Sequence, residues 1–185
     1  MIGFVGAPST GKTTLARAVA NEVGLRGLAV EFVSEYARTY IQRYGPIESV
    51  SEQLVIFDGQ ARREDDARST GADYVIAETP VFTGYAYGLE KMSASAKDTR
   101  VLQVVHRLIL ERLRLYHRVY YIPIELPLQR DGTRSETEET RRRLDARLRA
   151  SLELWAPSFV TVRGDLKDRM QVVLETEFPR SRRRA

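Results

Sequence analysis

Gly6-Ala7-Pro8-Ser9-Thr10-Gly11-Lys12-Thr13 fits the pattern G-x-x-x-x-G-K-[ST], a glycine-rich loop built to cradle phosphates. Before it, Met1-Ile2-Gly3-Phe4-Val5 is a short apolar run; after it, Thr13-Thr14-Leu15-Ala16-Arg17-Ala18-Val19-Ala20 has helical spacing. Strand, loop and helix start, in that order, are the setting the motif requires. Glycine at 6 and 11 permits backbone conformations and close approaches that a Cβ would block, so successive amides can turn toward an anion. A helix starting near Lys12 adds the positive end of its dipole, Lys12 reaches the β- and γ-phosphates, and the Thr13 hydroxyl is placed for Mg²⁺. Gly6, Ser9, Thr10, Gly11, Lys12, Thr13 and Thr14 are therefore the expected ATP-binding set.

Working outward, 185 residues fit one domain, expected to span 1–178. The chain has no cysteine, which excludes disulfides and thiolate metal sites and makes a cytosolic compartment the default. No apolar run approaches 18 residues and no basic-then-apolar leader opens the chain, so neither membrane spanning nor secretion is expected. Net charge is +4, carried by 25 arginines against four lysines. Guanidinium forks suit bidentate phosphate contact, although a charge this small selects only weakly for a phosphate-rich partner.

Strands alternate with helices along the remainder. Leu28–Ser34, Ala72–Ala77, Arg118–Ile124 and Phe159–Arg163 read as strands. Helices are expected to end near Gly24 and at Tyr44 before Gly45-Pro46, then to run from Ser49 to about Thr70, over Phe82–Leu89 and Asp98–Tyr116, over 138–154, and onward from about Asp165. On the helix opened by Ser49 the inward positions are expected to be Leu54, Phe57 and Ala61; on the one from Asp98, Val101, Val104, Val105, Leu108, Ile109 and Leu113. The alternation implies βαβ units: a three-layer α/β fold, a mostly parallel five-stranded sheet with helices on both faces. Functional residues should then gather at the C-terminal ends of the first four strands.

Phosphoryl transfer needs a phosphate cradle, a metal, an acid that orients the acceptor and cations over the transferring group. Glu78 ends the strand expected beside the loop strand and fits either a metal role with Thr13 or that of general base; Glu35 ends the second strand and is equally a candidate base, or else caps the helix after it. Which carboxylate does which is not decided by sequence. Arg130 and Arg134 flank Asp131-Gly132-Thr133 in a loop, about 127–140, placed like a lid that closes over phosphates. With Lys12, Glu35 and Glu78 they form the expected catalytic set. On the acceptor side stand Tyr36, Arg38, Gln60, Thr79, Phe82 and Tyr85. The Gln60 amide suits a base edge; the aromatic rings, with Tyr87, suit either stacking on an acceptor or the core. The spacing of Arg143 and Arg147 with Glu139 fits surface pairing four residues apart. The tail 179–185, rich in arginine, is expected to be disordered, or to contact nucleic acid.

Gly6 to Thr13, Ser34-Glu35-Tyr36-Ala37-Arg38, Gln60, Glu78-Thr79 and Arg130-Asp131-Gly132-Thr133-Arg134 fall in the order and spacing of the NadR-like P-loop kinases. The chain resembles the ribosylnicotinamide kinase half of a bacterial bifunctional NAD-salvage protein. It is also similar to bacteriophage enzymes that phosphorylate 5-hydroxymethyluracil already within DNA. The resemblance implies an ATP- and Mg²⁺-dependent kinase of the bacterial cytosol or the phage-infected cell, acting on a nucleoside-type acceptor. Ribosylnicotinamide kinases tend to carry Asp-Thr-Asp where this sequence has Glu78-Thr79-Pro80, and the adenylyltransferase partner domain is not among these residues. Both departures favour 5-hydroxymethyluracil in DNA as acceptor, with nicotinamide riboside or another nucleoside or nucleotide as the alternative. A P-loop NTPase switch is the alternative of a different class.

Overall fold

Ile2–Val5 forms β1, and its four residues are wholly buried because the strand lies in the middle of the sheet with helices over both faces. The computed structural model describes residues 1–93, 95–129, 137–156 and 158–179. Lys12–Leu25 is α1, Val30–Val33 β2, Tyr36–Tyr44 α2, Val50–Ser69 α3 and Tyr74–Ala77 β3. A single 3₁₀ turn, Val81–Thr83, precedes α4, Gly84–Lys91; then follow α5, Ala96–Leu113, and β4, Arg118–Tyr121. Glu138–Trp155 is α6, Val160–Thr161 β5 and Leu166–Glu177 α7. The sheet order is β2-β3-β1-β4-β5, and every pairing among the described residues is parallel.

The period of two along each strand divides the core. Ile2, Phe4, Ile76, Tyr120 and Ile122 face α1 and α7, where Leu15, Val19 and Val173 meet them. Val5, Val75, Ala77, Val119 and Tyr121 face α3 to α6, against Phe57, Ala86, Ile109, Leu144 and Leu148. Each fully buried aliphatic side chain contributes about 1.5–3 kcal/mol. Gly3 makes the sheet's tightest fit to the chain after β3: a Cβ there would lie 2.5 Å from Pro80 Cγ.

Several boundaries differ from expectation for identifiable reasons. The β4 ladder stops before Pro123, which has no N–H to give, and β5 pairs over two residues only, at the sheet edge before Gly164 at φ 88°. Ser95 accepts a hydrogen bond from the Asp98 amide and so starts α5 at Ala96, earlier than expected. The helix opened by Ser49 is capped as its sequence suggests: the Ser49 hydroxyl accepts from the Glu52 amide, and Glu52 accepts from the Ser49 amide. Its buried face, however, is Val50, Gln53, Ile56, Phe57, Gln60, Glu64 and Ala67, one step round from Leu54 and Ala61, which are half-buried. Three polar residues lie on the inner stripe. On α5, Val104 is exposed, and Leu102, Val105 and Ile109 are buried.

Gly59 on α3 faces the Tyr36 ring so closely that a Cβ would lie 2.3 Å from two ring carbons. Alanine favours a helix over glycine by roughly 1 kcal/mol, but overpacking here costs about 1–3 kcal/mol. Gly59→Ala is therefore expected to destabilise the fold on balance, read as a lower urea midpoint with unchanged slope; a raised midpoint would contradict the packing.

Candidate functional site

β1 delivers the chain to Gly6, where a Cβ would sit 2.4 Å from the Ile122 carbonyl oxygen and 2.9 Å from Thr10 Oγ1. Gly11, the residue before α1, is left-handed at φ 88°. So is Ser9 at φ 58°, a conformation costing a non-glycine residue about 1–2 kcal/mol. Ser9 Oγ is engaged twice, donating to the Gln129 carbonyl at 3.2 Å and accepting from the Gln129 amide at 3.1 Å. The Ala7 carbonyl accepts from Thr10 Oγ1 at 2.9 Å and from Lys12 Nζ at 2.8 Å. Because Pro8 has no N–H, turning that carbonyl toward Lys12 diverts no amide from an anion.

The other strand ends converge on this loop. Glu78 follows β3, is buried, and accepts a hydrogen bond from Thr13 Oγ1. Glu35, buried at the end of β2, has Arg38 Nε 3.9 Å from its carboxylate. Two concavities meet here. A polar one is lined by residues 8–14 with Glu35, Arg38 and Glu78. A mostly apolar one is lined by Ile41, Ile47, Ile56 and Val81 with the polar groups of Gln53, Gln60 and Thr79. Glu35 borders both.

Gln60 is buried with its Oε1 accepting from the Tyr36 amide at 2.8 Å. Its Nε2, and Thr79 Oγ1, are buried without a hydrogen-bond partner among the described residues, which leaves both able to meet a ligand. The aromatic candidates are placed otherwise. Tyr36 lies flat on Gly59 with the Arg63 guanidinium 5.0 Å from its ring centroid, and lines neither concavity. Phe82 packs edge-on against Tyr116 at 5.3 Å, within the core. Tyr85 packs on Trp155 at 5.1 Å and His106 at 5.7 Å. Phe82 is thus buried, Tyr36 and Tyr85 are half-buried against other side chains, and Tyr87 lines the apolar pocket. Arg130 and Arg134, with half of the expected lid, lie outside the described residues, as does the tail beyond Pro179.

Other groups that shape the site were not singled out by sequence. Arg141 is fully buried and Arg169 nearly so, both bonded to carbonyls of the loop. Arg141 falls in phase with Leu144, Leu148 and Leu152, and Arg169 with Val173; a cation on an apolar stripe was the available signal. Asp145 lies behind the loop: burial pushes its carboxyl above the usual carboxylate range, against the Tyr121 hydroxyl that donates to it at 2.8 Å. Glu64, wholly buried and also pushed up by burial, accepts from the Val81 amide at 2.9 Å and from Arg112 at 3.3 Å. That network holds the turn that carries Thr79 and Pro80 past the end of β3. Arg143 and Arg147 both reach Glu90 on α4, at 2.9 and 2.5 Å, and Arg143 also meets Glu139 at 3.5 Å.

The fold is shared with solved nucleotide enzymes. A NadR protein crystallised in complex with NR superposes with a TM-score of 0.68 at 20% identity, covering 94% of this chain and 49% of that one. The chain thus spans about half the length of that protein. Deoxyadenosine kinase from M. mycoides with bound dATP gives 0.67 at 15% identity, covering 95% and 98%. Thymidylate kinase from Ehrlichia chaffeensis gives 0.66 at 15%, covering 95% and 97%. No curated protein matches the sequence. No helix among the described residues is long and apolar enough to cross a membrane. The family model for an AAA domain matches residues 1–169, the span that carries the glycine-rich loop, all five strands and Arg169, and the chain belongs to that AAA domain family.

Proposed function

We propose that the chain is an ATP- and Mg²⁺-dependent kinase that transfers the γ-phosphate to a hydroxyl of a nucleoside-type acceptor. The observation that carries this is Glu35, the carboxylate shared by the polar concavity of the glycine-rich loop and the apolar one. A group so placed faces donor and acceptor together. Glu35 takes the proton from the acceptor hydroxyl as its oxygen bonds to the γ-phosphorus and the bond from phosphorus to the β–γ bridging oxygen breaks, releasing ADP. The loop amides and Lys12 hold the phosphates, and Arg38 lies beside Glu35 at the meeting of the two spaces.

Thr13 and Glu78 offer two hard oxygen donors in mutual contact at the loop, a donor set that suits Mg²⁺ together with phosphate oxygens and water. When bound there, the ion would neutralise charge on the phosphates. Glu78 is thereby assigned to the metal and Glu35 to the acceptor.

In the apolar pocket the Gln60 carbonyl oxygen is committed to the Tyr36 amide, so the amide nitrogen remains to donate. That polarity favours a ring bearing a carbonyl oxygen. Both 5-hydroxymethyluracil and nicotinamide riboside supply one. The favoured acceptor is 5-hydroxymethyluracil in DNA, supported by the arginine excess, the basic tail and Pro80 in place of a second acid; the base would have to leave the stack to enter the pocket. Nicotinamide riboside stands second, supported by the shared fold of the NadR protein solved with NR.

Incubation with labelled ATP and, separately, nicotinamide riboside, thymidine, unmodified DNA and hydroxymethyluracil-containing DNA is expected to label the modified DNA. Binding to that DNA should fall steeply between about 50 and 200 mM salt. Label entering only the small riboside, or salt-independent DNA binding, would overturn the acceptor choice. ATP hydrolysis indifferent to every acceptor would favour the NTPase switch.

A further inference from the structure

Arg141 and Arg169 reach the glycine-rich loop from behind, from two different helices. Arg141 Nε donates to the Pro8 carbonyl at 2.8 Å and its Nη2 to the Ser9 carbonyl at 3.3 Å, with a further bond to the Leu126 carbonyl at 2.9 Å. Arg169 Nη1 donates to the Thr10 carbonyl at 2.6 Å, and its Nη2 meets Glu125 at 3.0 Å. Three consecutive loop carbonyls are thus drawn to one side by two buried guanidiniums. In a trans peptide the carbonyl of one residue and the N–H of the next point in opposite directions. Drawing the carbonyls of Pro8, Ser9 and Thr10 toward the arginines therefore turns the amides of Ser9, Thr10 and Gly11 the other way. Those are the residues that line the polar concavity.

Each arginine is itself fixed by the fold. Glu138, on the first turn of α6, lies 3.2 Å from Arg141 Nη1. Glu125 is held by Arg163 at 3.0 Å and by the Gly164 amide at 3.0 Å while it holds Arg169. Gly11 leaves the space for Arg169: a Cβ there would come within 3.2 Å of its Nη1. Burying two cations is costly unless they are paired and hydrogen-bonded, as Arg141 is by Glu138 and three carbonyls, and Arg169 by Glu125 and the Thr10 carbonyl, with its Nε alone lacking a partner among the described residues. A merely structural role would be met more cheaply by the leucines that share the α6 stripe.

We propose that Arg141 and Arg169 are positioning residues for the phosphate cradle: they aim its amides before any phosphate arrives. The inference rests on the proposed function only in taking a polyphosphate as the occupant. Neither guanidinium touches a reacting atom.

The test is calorimetric binding of ATP, inorganic tripolyphosphate and adenosine to the unaltered chain and to Arg169→Met, Arg141→Met and Arg169→Lys, with unfolding midpoints measured separately. Each methionine variant is expected to weaken ATP and tripolyphosphate about tenfold, roughly the worth of one charged hydrogen bond, and to leave adenosine unchanged. Arg169→Lys retains one donor for the Thr10 carbonyl and should lie between; it decides the matter if the methionine variants fail to fold. Unchanged polyphosphate affinity in a folded variant overturns the inference alone. Equal loss for ATP and adenosine does the same, because it marks general damage. Absence of any polyphosphate binding by the unaltered chain overturns both this inference and the proposed function.

Discussion

Lys12→Ala is expected to lower phosphoryl transfer by on the order of 10³-fold, the scale set by removing one preorganised donor from a transition-state site. Lys12 sits at the first position of α1 with its ammonium on the Ala7 carbonyl, inside the loop that would hold the phosphates. Charge builds on the phosphoryl oxygens and the leaving group during transfer, so a cation there is worth more in the transition state than in the ground state. The fold has less at stake. The Ala7 carbonyl keeps the Thr10 hydroxyl at 2.9 Å, and Lys12 is only partly buried. The unfolding midpoint should therefore stay close to that of the unaltered protein, within the range typical of surface substitutions, about 0.5 kcal/mol. Label transfer from ATP and thermal unfolding measured together check both halves. Full activity in the variant would remove the glycine-rich loop from the mechanism.

Glu35→Gln should lower kcat by about 10²- to 10⁴-fold, the usual contribution of a placed general base. The substitution keeps shape and hydrogen-bonding capacity, and Glu35 lies at the boundary of the two concavities, so KM for either substrate should change little. Glu78→Gln should behave differently. Its carboxylate faces Thr13, so the expected result is a higher Mg²⁺ concentration for half-maximal rate, with much of the rate recovered at saturating metal. Titrating Mg²⁺ against rate in both variants separates the roles. Recovery of Glu35→Gln by metal, with Glu78→Gln refractory, would exchange the two assignments.

The loop and the strand–helix alternation were legible in the sequence because each rests on a local pattern, fixed glycines in one and short apolar runs alternating with period-3.6 hydrophobicity in the other; the placement of β3 beside β1 followed from the fold class that these imply. The interior polar residues were not. Gln53, Gln60 and Glu64 share one face of α3, which made the apolar pattern point to Leu54 and Ala61 instead. Arg141 was hidden among Arg142 and Arg143, and pairing four residues apart described the neighbours but not the one that folds inward. Pattern counts hydrophobicity and cannot see a carbonyl that needs a donor. The aromatic candidates are placed away from the pocket for the opposite reason. Tyr36, Phe82 and Tyr85 carry rings suited to stacking, and packing took those rings first, leaving Tyr87 at the pocket.

The contact between Gly59 and Tyr36 bears on how relatives of this chain can diverge. With the ring in place, a side chain at 59 overpacks the contact; with a side chain at 59, a large ring at 36 must move away. Exchange costs least when Tyr36 shrinks first and Gly59 grows afterward. Related sequences should therefore fall into two classes, glycine with a bulky partner or a side chain with a small one, and reconstructed ancestors between them should carry the two small residues together.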